Sequence, residues 1–244
     1  MLDELEKLPE EYHMPHELLQ LILSAIALDS NGLDTKKKAT EADVETSRRV
    51  HARSRWNKRD LPTVMDDLDD KLSDAEKDLD ALDLRDLLRR DWKASFIDTP
   101  SERTPTVHLG FTSIPMSMDA QINRTEYRAL FNWFAVHAAF TAENSIDISV
   151  NLNKYKYRDE QGKKHKVRGI VLVVRDDIRV DDRQADELFK VAKDAIEGDR
   201  KLNVKPWHDA DKLGKRQMAW ISECGSCSRK YVKPLVEEAV TKWS

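Results

Sequence analysis

The feature that most constrains how this chain can fold is a set of four short strand-like segments, of which the two middle ones alternate in polarity and the last is an apolar run. The segments are residues 107–114, 146–157, 167–174 and 218–221. A period of two over a short segment predicts a β-strand. The two middle segments flank a turn at residues 158–164 that contains Gly162, so they predict a hairpin. Helical patterns separate the strands, and the order therefore predicts an α/β fold with a mixed sheet of four or more strands flanked by helices.

Helical spacing of apolar residues predicts the elements around these strands. The predicted helices cover residues 15–28, 40–56, 64–82, 84–92, 125–141 and 183–196, and a last helix contains Pro234 in its first turn. The first helix is apolar on almost every side and therefore needs neighbours on several faces. Thr40 followed by Asp43 is typical of a capping box. Residues 1–57 contain no strand pattern and look like part of something larger, whereas residues 58–95 form a helical connector that leads into residues 96–244.

Charge is distributed unevenly along a chain whose net charge is −4. Residues 64–84 carry nine acids against two lysines, whereas residues 151–169 carry seven basic residues against two acids. Such a chain attracts polyanions on one surface and repels them on another. A nucleic-acid-binding domain is usually basic overall, so this balance argues against nucleic acid as the partner.

Nothing in the sequence predicts export or a membrane span. Residues 1–7 lack the basic and apolar regions of a leader peptide, and no run of eighteen apolar residues occurs. We therefore expect a cytoplasmic protein without a membrane partner. Cys224 and Cys227 have the C-x-x-C spacing, but the second pair of ligands that a zinc site needs is missing. Two small buried thiols are expected in preference to a zinc or redox centre.

A basic turn near the carboxyl end is the strongest candidate site. Residues 218–221 predict a strand, residues 225–230 a tight turn, and the Pro234 segment a helix. Ser228, Arg229 and Lys230 would then lie at one end of a sheet beside free backbone N–H groups. Such a concavity binds anions with many oxygens, such as a phosphate chain. A solvated basic loop accounts for the same residues, and spacing alone favours that interpretation.

Three further positions join this candidate site or suggest a metal. Lys93 lies near the end of a predicted helix, and Thr112 and Ser113 carry hydroxyl groups at the end of a predicted strand. Because α/β sheets bind ligands at the ends of their strands, these side chains would line the same pocket if the strands are neighbours. Asp29 ends the first helix, and its carboxylate is either a ligand for a hard divalent cation or a simple turn residue.

These motifs together resemble the DHH phosphoesterase superfamily, in the branch of exopolyphosphatases, family II inorganic pyrophosphatases and prune proteins. Residues 23–30 and 39–43 are similar to the end of the DHH domain, whose aspartate coordinates the catalytic metals. Residues 87–93 and 109–115 are similar to the start of the DHHA-type domain, whose lysine contacts phosphate. Ser228, Arg229 and Lys230 resemble that domain's terminal Ser-Arg-Lys signature, which grips the substrate. Residues 1–57 would then be the remnant of a DHH domain, and residues 96–244 a complete DHHA-type domain.

The resemblance implies metal-dependent hydrolysis of phosphoanhydride bonds, with Mg²⁺ or Mn²⁺ as the cofactor and polyphosphate or pyrophosphate as the substrate. It implies a metal ligand at Asp29 and substrate contacts at Lys93, Ser228, Arg229 and Lys230. The strand-end argument adds Thr112 and Ser113 to this predicted substrate site. The chain has no Asp-His dipeptide, so the Asp-His-His motif is missing and no catalytic set is complete. We therefore expect weak turnover or none from this chain alone.

Two further expectations accompany the resemblance. Tyr231 stands where pyrophosphatases usually carry another lysine, which favours the exopolyphosphatase side of the branch. The alternative function is a non-catalytic module that binds polyphosphate, nucleotides or a partner protein. If the first helix is left uncovered, its aliphatic side chains are expected to promote self-association through the N-terminal helices.

Overall fold

The computed structural model describes residues 14–158, 161–162 and 164–244. These described residues form two compact units, which divide between residues 81 and 82. Two predictions fall partly outside the described residues. They are the first thirteen residues of the predicted 1–57 remnant, and Lys163 with residues 159–160 at the predicted hairpin tip.

The first unit consists of three helices in its described part. They are α1 (His16–Ser30), α2 (Glu41–Arg53) and α3 (Leu61–Lys77). Thr40 caps α2 and forms the predicted capping box with Asp43. The helices pack around a small core that includes Leu19, Leu23 and Met65. Leu21 and Leu28 of α1 remain 65% and 40% exposed, so the apolar helix is only partly covered.

The second unit is built on a six-stranded mixed sheet, which confirms the predicted α/β fold. The strands, in the spatial order β1-β2-β3-β4-β6-β5, are β1 (Trp92–Asp98), β2 (Thr106–Ile114), β3 (Ile148–Arg158), β4 (Lys164–Val174), β5 (Lys205–Pro206) and β6 (Gln217–Ser222). Strands β2 and β3 are parallel, and the other neighbouring pairs are antiparallel. The predicted hairpin is β3–β4.

Helices cover both faces of this sheet. They are α4 (Leu84–Arg90), α5 (Met118–Ile122), α6 (Leu130–Glu143), α7 (Asp182–Gly198) and α8 (Arg229–Thr241), with short 3₁₀ turns at Glu126–Arg128 and Ala210–Lys212. The main core lies between the sheet and α7 and α8, where Phe111, Leu172 and Trp220 are buried. We call this side the α8 face. On the opposite face, His137 of α6 reaches Ser149 and Gln121 of α5 reaches Asn153.

Strand polarity places several chain segments at one end of the sheet. The carboxyl ends of β2, β3 and β6 and the amino ends of β1 and β4 lie there, and we call it the carboxyl end. Strand β6 leads from this end through a short loop into α8. Ligands of α/β proteins commonly bind at such a strand end.

Two local predictions are wrong. Residues 91–93 were predicted as the end of a helix, but α4 stops at Arg90 and Lys93 is the second residue of β1. Strand β1 is an edge strand, and its apolar residues do not all follow a period of two, so its sequence lacks a clear strand pattern. Helix α8 begins at Arg229, so Pro234 lies inside the helix instead of in its first turn. Within the described residues, no helix is both long and apolar enough to cross a membrane.

Candidate functional site

Arg229 at the start of α8 is fixed by Asp91 at the start of β1. Its Nη1 donates to a carboxylate oxygen of Asp91 at 2.8 Å and to the Asp91 carbonyl at 3.1 Å. The Ser113 backbone N–H donates to the same carbonyl at 3.3 Å. The contact joins residues 138 positions apart and brings the amino end of α8 to the ends of β1 and β2.

Lys93 lies on the same side of the sheet as Arg229. It pairs with Phe111, which is buried in the core beneath α8. Because paired residues on neighbouring strands project to the same face, the Lys93 side chain extends from the α8 face. Ser113 is two residues beyond Phe111 and shares that face. Among the described residues, Lys93 has no ion-pair partner, so its charge is available for a ligand.

The amino end of α8 adds hydrogen-bond donors to these cations. Ser228 occupies the N-cap position, and its hydroxyl makes no capping bond. Its carbonyl accepts from the N–H groups of Tyr231 and Val232, whereas those of Arg229 and Lys230 find no acceptor in the described part of the chain. Unpaired N–H groups give a helix amino terminus a positive potential. Ser228, Arg229 and Lys230 therefore form an anion-attracting helix start.

Thr112 does not join the other predicted site residues. Successive strand residues project to opposite faces, so Thr112 is directed away from Phe111 and the α8 face. Its buried hydroxyl donates to the Leu88 carbonyl of α4 at 3.4 Å. Five of the six predicted binding residues therefore lie at the carboxyl end of the sheet on the α8 face, and the sixth is a contact between α4 and the sheet.

Asp29 belongs to the first unit, where it is a surface residue. Its side chain is 85% exposed, and a carboxylate oxygen lies 2.6 Å from the ammonium of Lys38. Within the residues that the structure describes, no group of three His, Cys, Asp or Glu side chains is placed to hold a metal ion. The described donors therefore do not fit a divalent-metal centre, and a metal-binding role for Asp29 stays a prediction.

Cys224 and Cys227 form a disulfide, so the prediction of two free thiols is wrong. Cys227 is buried in the core on the α8 face, and Ser228 follows it directly. The Cys224 backbone N–H donates to the Ser222 hydroxyl at the end of β6. The bridge therefore closes the loop that connects β6 to the cationic start of α8.

Tyr231, which stands where a lysine was considered, is held by residues outside the candidate site. Its hydroxyl donates to the Asp199 carboxylate at 2.8 Å, and the Lys201 ammonium lies 4.4 Å from the centre of its ring. The hydrogen bond to Asp199 raises the pKa of the Tyr231 hydroxyl. This position therefore ties α8 to the segment after α7.

Sequence reasoning missed Asp91 and Arg168. Asp91 is two residues before the predicted Lys93, but the sequence did not single it out because acidic residues are abundant in this chain. Arg168 is 92% buried in β4, and burial lowers the pKa of its guanidinium. A signal for Arg168 was present in the sequence, since an arginine interrupts the apolar positions 170, 172 and 174 at the same period of two.

A family model for the DHHA2 domain matches residues 70–239. A similar solved structure is that of a Methanococcus jannaschii protein assigned to the family II inorganic pyrophosphatases, with 14% identity and a TM-score of 0.43. That alignment covers 95% of this chain and 58% of the other. No curated protein sequence gives a significant match. Because the family model covers more than half of its length, the chain belongs to the DHHA2 domain family.

Proposed function

We propose that this chain binds condensed phosphate, such as polyphosphate or pyrophosphate, as the phosphate-binding half of a phosphoanhydride hydrolase. The observation that carries the proposal is the arrangement of Arg229, held by Asp91, on the same face and at the same sheet end as Lys93. Membership of the DHHA2 family supports a phosphoesterase relationship.

The chemistry of the site suits phosphoryl oxygens. Asp91 engages one terminal nitrogen of Arg229, which leaves Nε and Nη2 of the guanidinium for a ligand. An arginine fork binds two phosphate oxygens at once, and a lysine such as Lys93 supplies a mobile point charge. The free N–H groups at the start of α8 add neutral donors. In a hydrolase, the same groups would stabilise the negative charge that develops on the transferred phosphoryl group.

Catalysis requires more than these residues supply. Two-metal hydrolysis needs several carboxylates and imidazoles, and the described residues contain no such cluster. We therefore expect the chain alone to bind condensed phosphate and to release little or no inorganic phosphate with Mg²⁺ or Mn²⁺. Rapid metal-dependent phosphate release from the pure chain would contradict this part of the proposal.

Equilibrium titration of the full chain with pyrophosphate and tripolyphosphate tests the binding site. The Arg229→Gln and Lys93→Gln variants should each weaken affinity by about tenfold, which corresponds to about 1.4 kcal/mol. Matched controls are Lys190→Gln and Lys242→Gln, which remove the same charge from exposed i,i+4 pairs on α7 and at the carboxyl end of α8. The proposal fails if Arg229→Gln and Lys93→Gln bind like the wild type, or if the controls weaken binding equally.

A further inference from the structure

Arg168 of β4 is a buried cation without a counter-ion. Only 8% of the residue is exposed, and its Nε is shielded from solvent without a hydrogen-bond acceptor. Its side chain has no ion pair or hydrogen bond with any residue that the structure describes. A buried charge without a partner is strongly unfavourable, and a bound anion would supply the missing counter-charge.

The strand register places Arg168 beside the start of α8. It lies between Lys154 of β3 and Ser222 of β6, and it shares the α8 face with Ile170. The loop from β6 to α8 passes over this part of β4, because a Cβ at Gly225 would lie 3.3 Å from the Cβ of Lys166. Arg168 therefore lies two residues along β4 from the point where the loop that leads to Ser228 crosses the strand.

The carboxyl end of the sheet thus carries two cationic groups. One contains Lys93 and Arg229 near β1, and the other contains Lys154, Lys166 and Arg168 near β4. Neither Lys154 nor Lys166 has an ion-pair partner among the described residues. Strands β1 and β4 are three strand spacings apart, or ~14 Å. An anion with two phosphates joined by a single bridging oxygen is too short to occupy both groups at once.

We propose that Arg168, with Lys154 and Lys166, forms a second anion subsite that holds the distal phosphates of a linear polyphosphate. The inference rests on the proposed function, because the near end of the same chain would occupy the Lys93 and Arg229 group. Pyrophosphate would fill that first group alone. The two subsites together select linear chains that are long enough to span the ~14 Å between these strands, in preference to pyrophosphate.

The decisive comparison is between pyrophosphate and a long linear polyphosphate, each titrated into the full chain and three variants. Arg168→Met removes the charge and keeps an unbranched side chain, and it should weaken polyphosphate binding by about tenfold while pyrophosphate affinity changes by less than about twofold. Arg229→Gln should weaken the binding of both anions. Arg168→Lys keeps the charge without the fork and should fall between the wild type and Arg168→Met for polyphosphate.

Thermal unfolding gives an independent readout that also reports folding. Without ligand, Arg168→Met should be at least as stable as the wild type, because it removes an uncompensated buried charge. Its stabilisation by polyphosphate should be smaller than that of the wild type.

The outcomes separate the two proposals. If Arg168→Met changes neither affinity, or lowers both equally, the second subsite is wrong while the first remains. A wild-type chain that binds neither anion contradicts the proposed function itself. A structural role for Arg168 predicts a different result. In that case Arg168→Met is less stable than the wild type without ligand, while Arg168→Lys and the folded fraction of Arg168→Met keep wild-type affinity for polyphosphate.

Discussion

Asp91 offers a test in which the sign of the effect separates positioning from simple electrostatics. Removing an acid near a phosphate site should strengthen anion binding if charge alone matters. Because the Asp91 carboxylate holds Arg229 in place, we expect the opposite result for Asp91→Asn, a loss of affinity of roughly fivefold, or about 1 kcal/mol. Titration with tripolyphosphate measures it.

The control for Asp91 is Glu238→Gln, which removes one negative charge near the carboxyl end of α8, where Glu238 pairs with Lys242. It should leave affinity unchanged or raise it slightly. Equal or tighter binding by Asp91→Asn would show that Arg229 does not depend on this carboxylate.

His137 predicts a pH dependence of stability. The ring is fully buried against Trp133, and burial lowers the pKa of His137 from 6.5 to about 4. Between these pH values the unfolded chain binds a proton that the native chain does not. The free energy of unfolding is therefore highest above pH 6.5 and decreases as the pH falls towards 4. The full contribution is about 3 kcal/mol.

Urea unfolding at pH 7 and pH 4.5 measures this contribution. The His137→Gln variant should lose less stability than the wild type between the two pH values. His208→Gln, at an exposed histidine, should behave like the wild type. An unchanged pH response in His137→Gln would exclude His137 as the cause.

Residue-level prediction from sequence was most specific where a residue type has one strong chemical preference, and the binding roles of these residues stay predictions. Arg229 and Lys93 were found because cations near a turn and a strand end suggest anion binding, and the structure places them at one sheet end. Thr112 was grouped with Ser113 because both carry hydroxyls, but the strand alternation separates neighbouring residues to opposite faces. Arg168 was missed because it was counted among the basic residues of the hairpin. Its position is nevertheless an even number of residues from the core positions 170, 172 and 174, which places it on the same face of the strand.

At the scale of elements, the disulfide loop between β6 and α8 should affect ligand binding. The Cys224–Cys227 bridge restricts the segment that ends in Ser228 and Arg229. Closing such a short loop contributes roughly 2 kcal/mol by the chain-entropy model. We expect a dithiol reductant to weaken tripolyphosphate binding severalfold, on the order of 1 kcal/mol, because the cationic helix start is then less well ordered.

The control for the reductant is a chain with Cys224→Ser and Cys227→Ala, which should bind with the affinity of the reduced wild type and show no response to dithiol. If the reductant weakens binding by this variant as well, it acts elsewhere. If it leaves wild-type affinity unchanged, the bridge has no part in ordering the site.

Element prediction depended on how clear the periodicity was. Strands β2, β3, β4 and β6 were recognised because at least one face of each is buried in the core. Strand β1 was missed because it is an edge strand with exposed polar positions such as Lys93. The start of α8 was placed too late because Pro234 is favoured in a first helical turn, whereas here the core contacts of Val232, Val236 and Val240 extend the helix through it.

For the whole molecule, the exposed side of α1 predicts self-association. Leu21 and Leu28 are seven residues apart and lie on one side of the helix, both exposed. Burying each leucine between two copies would contribute about 1.5–3 kcal/mol. Sedimentation velocity should show a concentration-dependent oligomer for the wild type, and Leu21→Glu with Leu28→Glu should shift it to monomer.

The matched control introduces the same charges at two exposed positions of α2, with Ala42→Glu and Ala52→Glu. It should associate like the wild type. A wild-type chain that stays monomeric at high concentration would contradict the prediction, and so would an oligomer that persists when Leu21 and Leu28 are replaced.

Fold class followed from sequence at the molecular scale because the order of helices and strands permits few arrangements. The pairing order, with β1 beside β2 and β6 beside β4, did not follow, because it depends on contacts between segments far apart in the chain, such as Arg229 with Asp91. The candidate site was therefore predictable in its residue types and only partly in its membership.

The Asp91 carbonyl has a consequence for mutational tolerance. It accepts from both Arg229 and Ser113, and a backbone oxygen is supplied by every amino acid. Substitution at position 91 therefore removes one of two anchors and leaves the other. Substitutions at this position in related chains should therefore lower the affinity for anions by a limited amount, without abolishing binding.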